Sequence, residues 1–431
     1  MKSYQSTLSY LYGLQYRGMK FGLRNIRALL AEAGNPERCF PAIHIAGTNG
    51  KGSTASFMAS AFKEAGYRTG LYTSPHLVSF TERIRINGVE LQESALARYV
   101  AVLRPAIERT TATFFEATTC VAFLYFADEG VDIAVIETGL GGRLDATNVL
   151  RPLVSVITNI GLDHTDLLGR TTRAVAREKG GIIKDSIPVV TGTEDPDALE
   201  VLRRISRLRS APLVNARDAV RMQRSGGGRI RLAYRGIRLD PFVPGLTGEH
   251  QMWNAALALA ALGVLKQKVS FRRAFAALDR KAIRRGFVNV VRNTGLHGRF
   301  ELADRRRKIL LDVAHNPDGM RTLAHEIERR HFRNLVAVFG VMKDKDYGPM
   351  LDALARIARP LIAVAPRERR ALSARQLTRY GQTRGYAVVF GGSVREGIRK
   401  AVRLRGKGSV LVTGSHYVVG EAMRALRGKT A

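Results

Sequence analysis

The chain has 431 residues, 45% of them hydrophobic, with 69 Lys and Arg against 37 Asp and Glu for a formal charge of +32. This length calls for two or three domains, and the apolar share is ample for globular cores, which argues against a disordered or fibrous chain. No apolar run approaches the roughly 20 residues that cross a bilayer, and Met1-Lys2-Ser3-Tyr4-Gln5-Ser6 lacks the apolar stretch of a signal peptide, so a cytoplasmic protein with no membrane association is expected.

In chain order, residues 42–46 form a short apolar run that enters a glycine-rich loop, and a helix is predicted over 53–65, closed by Gly66. Runs at 132–136, 154–158 and 189–190 have the β-branched character of buried strands. Their alternation with amphipathic stretches predicts a mostly parallel sheet with helices on both faces. Residues 198–244 are basic and carry Gly226-Gly227-Gly228 between two stretches that pair as a hairpin, an antiparallel appendage to the first domain. An Ala/Leu-rich helix over 251–265 closes that domain. Arg292-Asn293-Thr294-Gly295 reads as a linker, which gives domains at 1–296 and 297–431. Strands of the second α/β domain are predicted at 309–313, 335–339, 361–365, 387–390 and 410–413.

Cys39 and Cys120 show no CxxC or metal-ligand spacing and read as buried, reduced thiols. The basic residues raise nucleic acid as a partner. They are spread along the chain with little aromatic interleaving, however, and read as a solvated surface that attracts anionic substrates.

The sharpest motif is Gly47-Thr48-Asn49-Gly50-Lys51-Gly52-Ser53, between a strand and a helix. Small residues let the backbone curl its N–H groups towards an anion, the helix N-terminus adds its dipole, and Lys51 adds a full charge. Ile45 stands where the standard phosphate loop has its first glycine, and Gly52 follows the lysine. A second cluster, Gly139-Leu140-Gly141-Gly142, has Leu144 where a dinucleotide fingerprint needs glycine, so no nicotinamide or flavin is expected. Glu137, at the carboxyl end of its strand, and Asp163-His164, after the next strand, are candidates around magnesium.

Three more segments complete an ordered set: Thr73-Ser74-Pro75-His76-Leu77, Glu137 through Leu144-Asp145-Ala146-Thr147-Asn148, and Arg177-Glu178-Lys179-Gly180-Gly181-Ile182. With Gly298-Arg299-Phe300-Glu301, Asp312-Val313-Ala314-His315-Asn316-Pro317 and Thr413-Gly414-Ser415, the set spans roughly residues 20–420. It resembles the folylpolyglutamate synthase/dihydrofolate synthase family of the Mur ligase superfamily. The resemblance implies a P-loop ATPase domain with a mostly parallel sheet and a smaller Rossmann-like C-terminal α/β domain. It also implies an ATP-dependent ligase that joins L-glutamate to dihydropteroate and/or to the γ-carboxylate of a folate through an acyl phosphate.

The implied cofactors are ATP, two Mg²⁺ and a monovalent cation. Ser74 and Glu137 would bind one Mg²⁺; His164 and a carbamylated Lys179 would hold the second. Thr48, Asn49, Gly50, Lys51, Gly52 and Ser53 would cradle the phosphates, Asn254 would contact adenine, Arg299 would reach the phosphates and Asp312 would bind the ribose, with His315 close by. Phe21, Gly22, Thr113, Phe114, Phe115, Glu116, Leu144, Asp145 and Ala146 would receive the pterin, with Phe115 stacking on its ring and Asp145 bonding its edge. Ser415, beside His416, would meet the amino acid. Lys20 stands where bifunctional members would carry an acidic residue. A monomer acting on small molecules, without nucleic acid, is expected. The alternatives are another Mur-type amide ligase making poly-glutamate or peptide, a basic P-loop nucleic-acid-binding ATPase, and a non-catalytic nucleotide sensor.

Overall fold

The computed structural model describes residues 3–18 and 22–427. They form two compact units: Met1–Ser74, Thr81–Gly245 and Gln251–Leu296 make the first, and Pro75–Phe80, Leu246–His250 and His297–Ala431 the second.

The first unit carries strands β1 (Ala42–Ala46), β2 (Thr69–Tyr72), β3 (Ile84–Ile86), β4 (Val89–Glu90), β5 (Ile133–Glu137), β6 (Val154–Ile157), β7 (Val189–Thr191) and β8 (Leu213–Asn215). They form one sheet in the order β4-β3-β2-β5-β1-β6-β7-β8. All neighbours from β2 to β8 run parallel, and β3 and β4 add antiparallel pairs at one edge. β1 and β5 are buried along their whole length, as strands covered on both faces must be. β1 lies between β5 and β6, although in sequence it precedes both. Loops leaving the carboxyl ends of these three strands are therefore neighbours, the arrangement that forms ligand sites in open α/β sheets.

After β1 the chain enters the helix Lys51–Glu64, buried from Gly52 to Phe62 and rich in Ser, Ala and Thr. Such small residues permit close packing. On the helix Arg280–Val288, a Cβ at Gly286 would lie 2.5 Å from Ala61 Cα, and the Ser60 hydroxyl donates to the Gly286 carbonyl at 2.6 Å.

The 198–244 region departs from the expected simple hairpin. It begins inside the helix Pro196–Leu208 and contributes β8 to the main sheet, and only then forms the antiparallel strands β9 (Arg221–Ser225), β10 (Arg229–Tyr234) and β11 (Ile237–Phe242). The predicted linker at 292–295 is the end of the short helix Val290–Thr294, stopped by Gly295 in a left-handed conformation. Cys39, expected buried, is exposed after the turn Pro36–Arg38, whereas Cys120 is buried as expected.

The second unit has strands β12 (Glu301–Asp304), β13 (Ile309–Leu311), β14 (Val336–Phe339), β15 (Leu361–Ala365), β16 (Val388–Ser393) and β17 (Val410–Thr413). Their order is β12-β13-β17-β14-β15-β16, parallel except for β12. One face packs Leu323, Ile327, Met350, Leu354 and Leu377; the other packs Val394, Ile398, Val418 and Val419. Among the described residues no helix is long and apolar enough to cross a membrane.

Candidate active site

The loop after β1 has no room for side chains at Gly47 and Gly50. A Cβ at Gly47 would lie 1.8 Å from Thr158 Oγ1, and φ there is +149°. Gly50, in the left-handed region at +83°, caps the helix Lys51–Glu64, and a Cβ on it would lie 2.5 Å from Asn254 Oδ1. Asn254 is thereby brought against the loop, and it donates to Gln251 Oε1 at 3.0 Å.

The loop's first half is fixed by the chain that leaves β6. Thr48 N–H donates to the Asn159 carbonyl at 2.9 Å and Asn49 N–H to Asn159 Oδ1 at 2.7 Å. The Thr48 hydroxyl donates to the Gly161 carbonyl at 2.9 Å, and the Thr158 hydroxyl donates to the Asn49 carbonyl at 2.6 Å. The N–H groups of Lys51, Gly52 and Ser53 lie in the first helical turn, where the helix supplies no acceptor. The cradle open to an anion is thus the helix start rather than the whole loop. Sequence reasoning missed Thr158 and Asn159, because only the sheet order places the end of their strand beside the loop after β1.

Two lysines gather on the Gly47 carbonyl, with a carboxylate beside one of them. Lys51 Nζ donates to the Gly47 and Thr48 carbonyls at 3.1 and 3.2 Å and lies 3.9 Å from Glu137 Oε1. Lys179, on the helix Thr172–Gly180 and only 4% exposed, donates from Nζ to the same Gly47 carbonyl at 2.8 Å. Burial, then the like charge of Lys51, pull its pKa down to about 7. Glu137 Oε2 accepts the Ser74 N–H at 3.3 Å, so Ser74 also joins the group. His164 opens the turn Thr165–Leu168 in left-handed backbone, and its N–H donates to Asp163 Oδ1 at 2.9 Å. It belongs to the loop whose Gly161 brackets the Thr48 hydroxyl.

Among the described residues no three His, Cys, Asp or Glu side chains cluster as a ready metal site. The acidic set is completed only if Lys179 changes character. A buried amine with a pKa near 7 is largely deprotonated in weakly alkaline solution and can add CO₂, which replaces a cation with a carbamate oxygen donor. With that change the donor set fits a hard divalent cation.

The glycine cluster after β5 is a packed loop. Asp145 Oδ2 accepts the Leu140 N–H at 2.8 Å and Oδ1 accepts the Thr147 N–H at 3.0 Å. A Cβ at Gly139 would lie 2.3 Å from the Phe115 ring, and one at Gly142 would lie 2.8 Å from the Glu178 carbonyl. Phe115 therefore lies on this loop, half-buried, with its ring centre 6.2 Å from that of Tyr72. Leu144 and Ala146 flank Asp145 on the same loop. Thr113 and Glu116 form the capping box that starts the helix Phe114–Asp128. Phe114 faces elsewhere, stacked on Tyr12 at 5.7 Å. Gly22 has φ +136°; Phe21 and Lys20 lie outside the described residues.

The remaining candidates belong to the second unit. Both Asp312 oxygens accept backbone N–H groups, from Phe300 at 2.9 Å and Ala314 at 2.8 Å. Arg299 Nη1 donates to the Gly298 carbonyl at 3.3 Å. The His315 ring lies 5.0 Å from that of His416, and Ser415 Oγ accepts the Val418 N–H at 3.1 Å, capping the last helix.

Comparison with known proteins adds relatives to this geometry. Residues 45–262 match the Mur ligase middle domain, and residues 298–416 match the Mur ligase glutamate ligase domain. The Bacillus subtilis dihydrofolate synthase/folylpolyglutamate synthase is 38% identical over 369 residues, covering 83% of this chain and 84% of its own. E. coli FolC in complex with DHPP and ADP superposes with a TM-score of 0.89 at 30% identity, over 100% of this chain and 99% of that one. A bifunctional folylpolyglutamate synthase/dihydrofolate synthase with Mn, AMPPNP and L-glutamate bound gives 0.86 at 29% identity, over 99% and 98%.

Proposed function

This chain belongs to the folylpolyglutamate synthase/dihydrofolate synthase family of Mur ligases, and from that premise we propose that it uses ATP to join L-glutamate to dihydropteroate and/or to the γ-carboxylate of a folate. The γ-phosphoryl group of ATP passes to the acceptor carboxylate and gives an acyl phosphate and ADP. The amine of glutamate attacks the acyl carbon, the C–O bond to phosphate breaks, and an amide and inorganic phosphate result.

The observation that carries this reading is the convergence of Lys51 and the buried Lys179 on the Gly47 carbonyl, with Glu137 beside the Lys51 ammonium. Phosphoryl transfer is largely a matter of positioning and charge neutralisation. Lys51 supplies a positive charge at the start of the helix Lys51–Glu64, whose first-turn N–H groups bind phosphate oxygens. Asn254, held against Gly50, contacts the adenine side. Glu137, Ser74, His164 and carbamylated Lys179 hold the divalent cations. When bound, these ions neutralise the phosphates and polarise the transferring group. Phe115 and the 139–146 loop form the acceptor-binding face. The second unit carries Arg299, Asp312 and His315 as its nucleotide-side residues and Ser415 and His416 as its amino-acid-side residues. A monomer in the cytoplasm completes the proposal.

Phosphate release from Mg-ATP and L-glutamate tests it, with dihydropteroate, tetrahydrofolate or no acceptor. Release with both pterins identifies a bifunctional enzyme, and release with tetrahydrofolate alone identifies a chain extender, in keeping with Lys20. Release with neither, from protein that binds ADP, rejects the folate assignment.

A further inference from the structure

Strand β1 is apolar except for one residue. His44 stands at its middle, wholly buried, in register with Ile136 of β5 and Ser155 of β6. Its Nε2 lies 2.8 Å from Thr147 Oγ1. The Thr147 hydroxyl donates to Asp145 Oδ1. Its oxygen is therefore left as the acceptor for an Nε2–H, which fixes the tautomer of the ring. Nδ1 is then a buried acceptor with no hydrogen-bond partner. The imidazole gains one polar contact in return for its burial, and that contact is Thr147.

The far end of this chain of bonds is the loop that carries the acceptor-binding face. Asp145 also receives the N–H groups of Thr147 and Leu140. Gly139 lies against the Phe115 ring, and Gly142 against the Glu178 and Lys179 backbone. These clearances leave no slack, so a rotation of the Asp145 carboxylate is passed on to the loop. β1, flanked by strands on both sides, is a rigid reference from which to set it.

We infer that His44 is a positioning residue for the acceptor: through the Thr147 hydroxyl it holds Asp145, and Asp145 shapes the 139–145 loop against Phe115. The inference rests on the proposed function, because the face it positions is the pterin side of that reaction. The phosphate loop, although it follows directly from β1, is held by Thr158, Asn159 and Lys179, none of which bonds to His44 or Thr147.

The test compares four single variants by steady-state kinetics with the acceptor and with ATP, and by ADP affinity. His44→Leu and Thr147→Val break the link. His44→Gln brings an amide N–H near the position of Nε2, and Thr147→Ser keeps the hydroxyl. The expected result is a rise of about tenfold in KM for the acceptor in His44→Leu and Thr147→Val, with KM for ATP and Kd for ADP within about twofold. His44→Gln and Thr147→Ser should recover most of the loss, and the double variant His44→Leu/Thr147→Val should be no worse than either single one. Equal effects on acceptor and ATP would overturn the inference, as would no effect, or a His44→Gln as impaired as His44→Leu. If His44→Leu does not fold, the Thr147 pair decides alone. Wild-type protein that binds ADP but turns over no pterin would overturn the functional assignment and the positioning role together; normal wild-type turnover with unaltered Thr147→Val overturns the positioning role only.

Discussion

Lys179 is where residue-level chemistry departs most from what a lysine usually does. Its burial and the neighbouring Lys51 pull its pKa down to about 7, and its amine lies on the Gly47 carbonyl rather than in water. Lys179→Ala should lower turnover by about 10²- to 10³-fold and leave ADP binding measurable. Acetate or formate added to the variant should restore part of the activity by supplying the missing oxygen donor, and phosphate release checks both. His44 supplies a second residue-scale prediction. Burial, and secondarily the charge of Lys184, hold its pKa down at about 3. Below its ordinary value near 6.5 the unfolded chain takes up a proton that the folded chain refuses, so stability falls as pH drops through the window from 6.5 to 3. Wild-type protein should therefore lose about 2 kcal/mol more than His44→Gln between pH 7 and pH 5, measured by urea denaturation at each pH. Lys51 and Glu137 were legible in the sequence because their motifs carry them. Thr147 and Asn159 were not, because nothing in a linear pattern reveals which side chain receives a hydrogen bond from a neighbouring strand's loop.

Among the elements, the helix after the phosphate loop depends on close packing more than on propensity. Gly286 leaves no room between the helices Lys51–Glu64 and Arg280–Val288, where a methyl group would meet the Ala61 backbone. Gly286→Ala should cost about 1–3 kcal/mol, read as a lower urea midpoint, and should weaken ADP binding because the same helix presents the phosphate-binding N–H groups. The strands that sequence reasoning located, such as β1, β6 and β17, are short, predominantly apolar runs buried along their whole length. Those it missed include the interior β2, a four-residue Thr-Gly-Leu-Tyr run, and strands at sheet edges. β12 reads Glu301-Leu302-Ala303-Asp304, largely exposed, and β8 has three half-buried residues. Neither has a pattern that separates it from a loop, and both become strands because a neighbour offers a hydrogen-bonding edge.

Over the whole molecule the dominant feature is charge. At +32 the folded chain repels itself and attracts anions. Raising ionic strength from about 0.01 M to about 0.1 M shortens the screening length from about 30 Å to about 10 Å. The melting temperature should rise over that range while kcat/KM for ATP falls, and thermal melts and initial rates at matched salt separate the two. The amino-acid sequence by itself determined the two-part α/β plan, the phosphate loop and the family, because buried parallel strands and glycine-bound phosphate sites leave dense local patterns. The order β5-β1-β6 was decided only in three dimensions. It brings Lys51 and Lys179 to one carbonyl, Lys179 from 132 residues away, with Glu137 beside Lys51, and burial decides the character of that site: a lysine ordinary in sequence becomes a near-neutral amine once the sheet and helices exclude water from it.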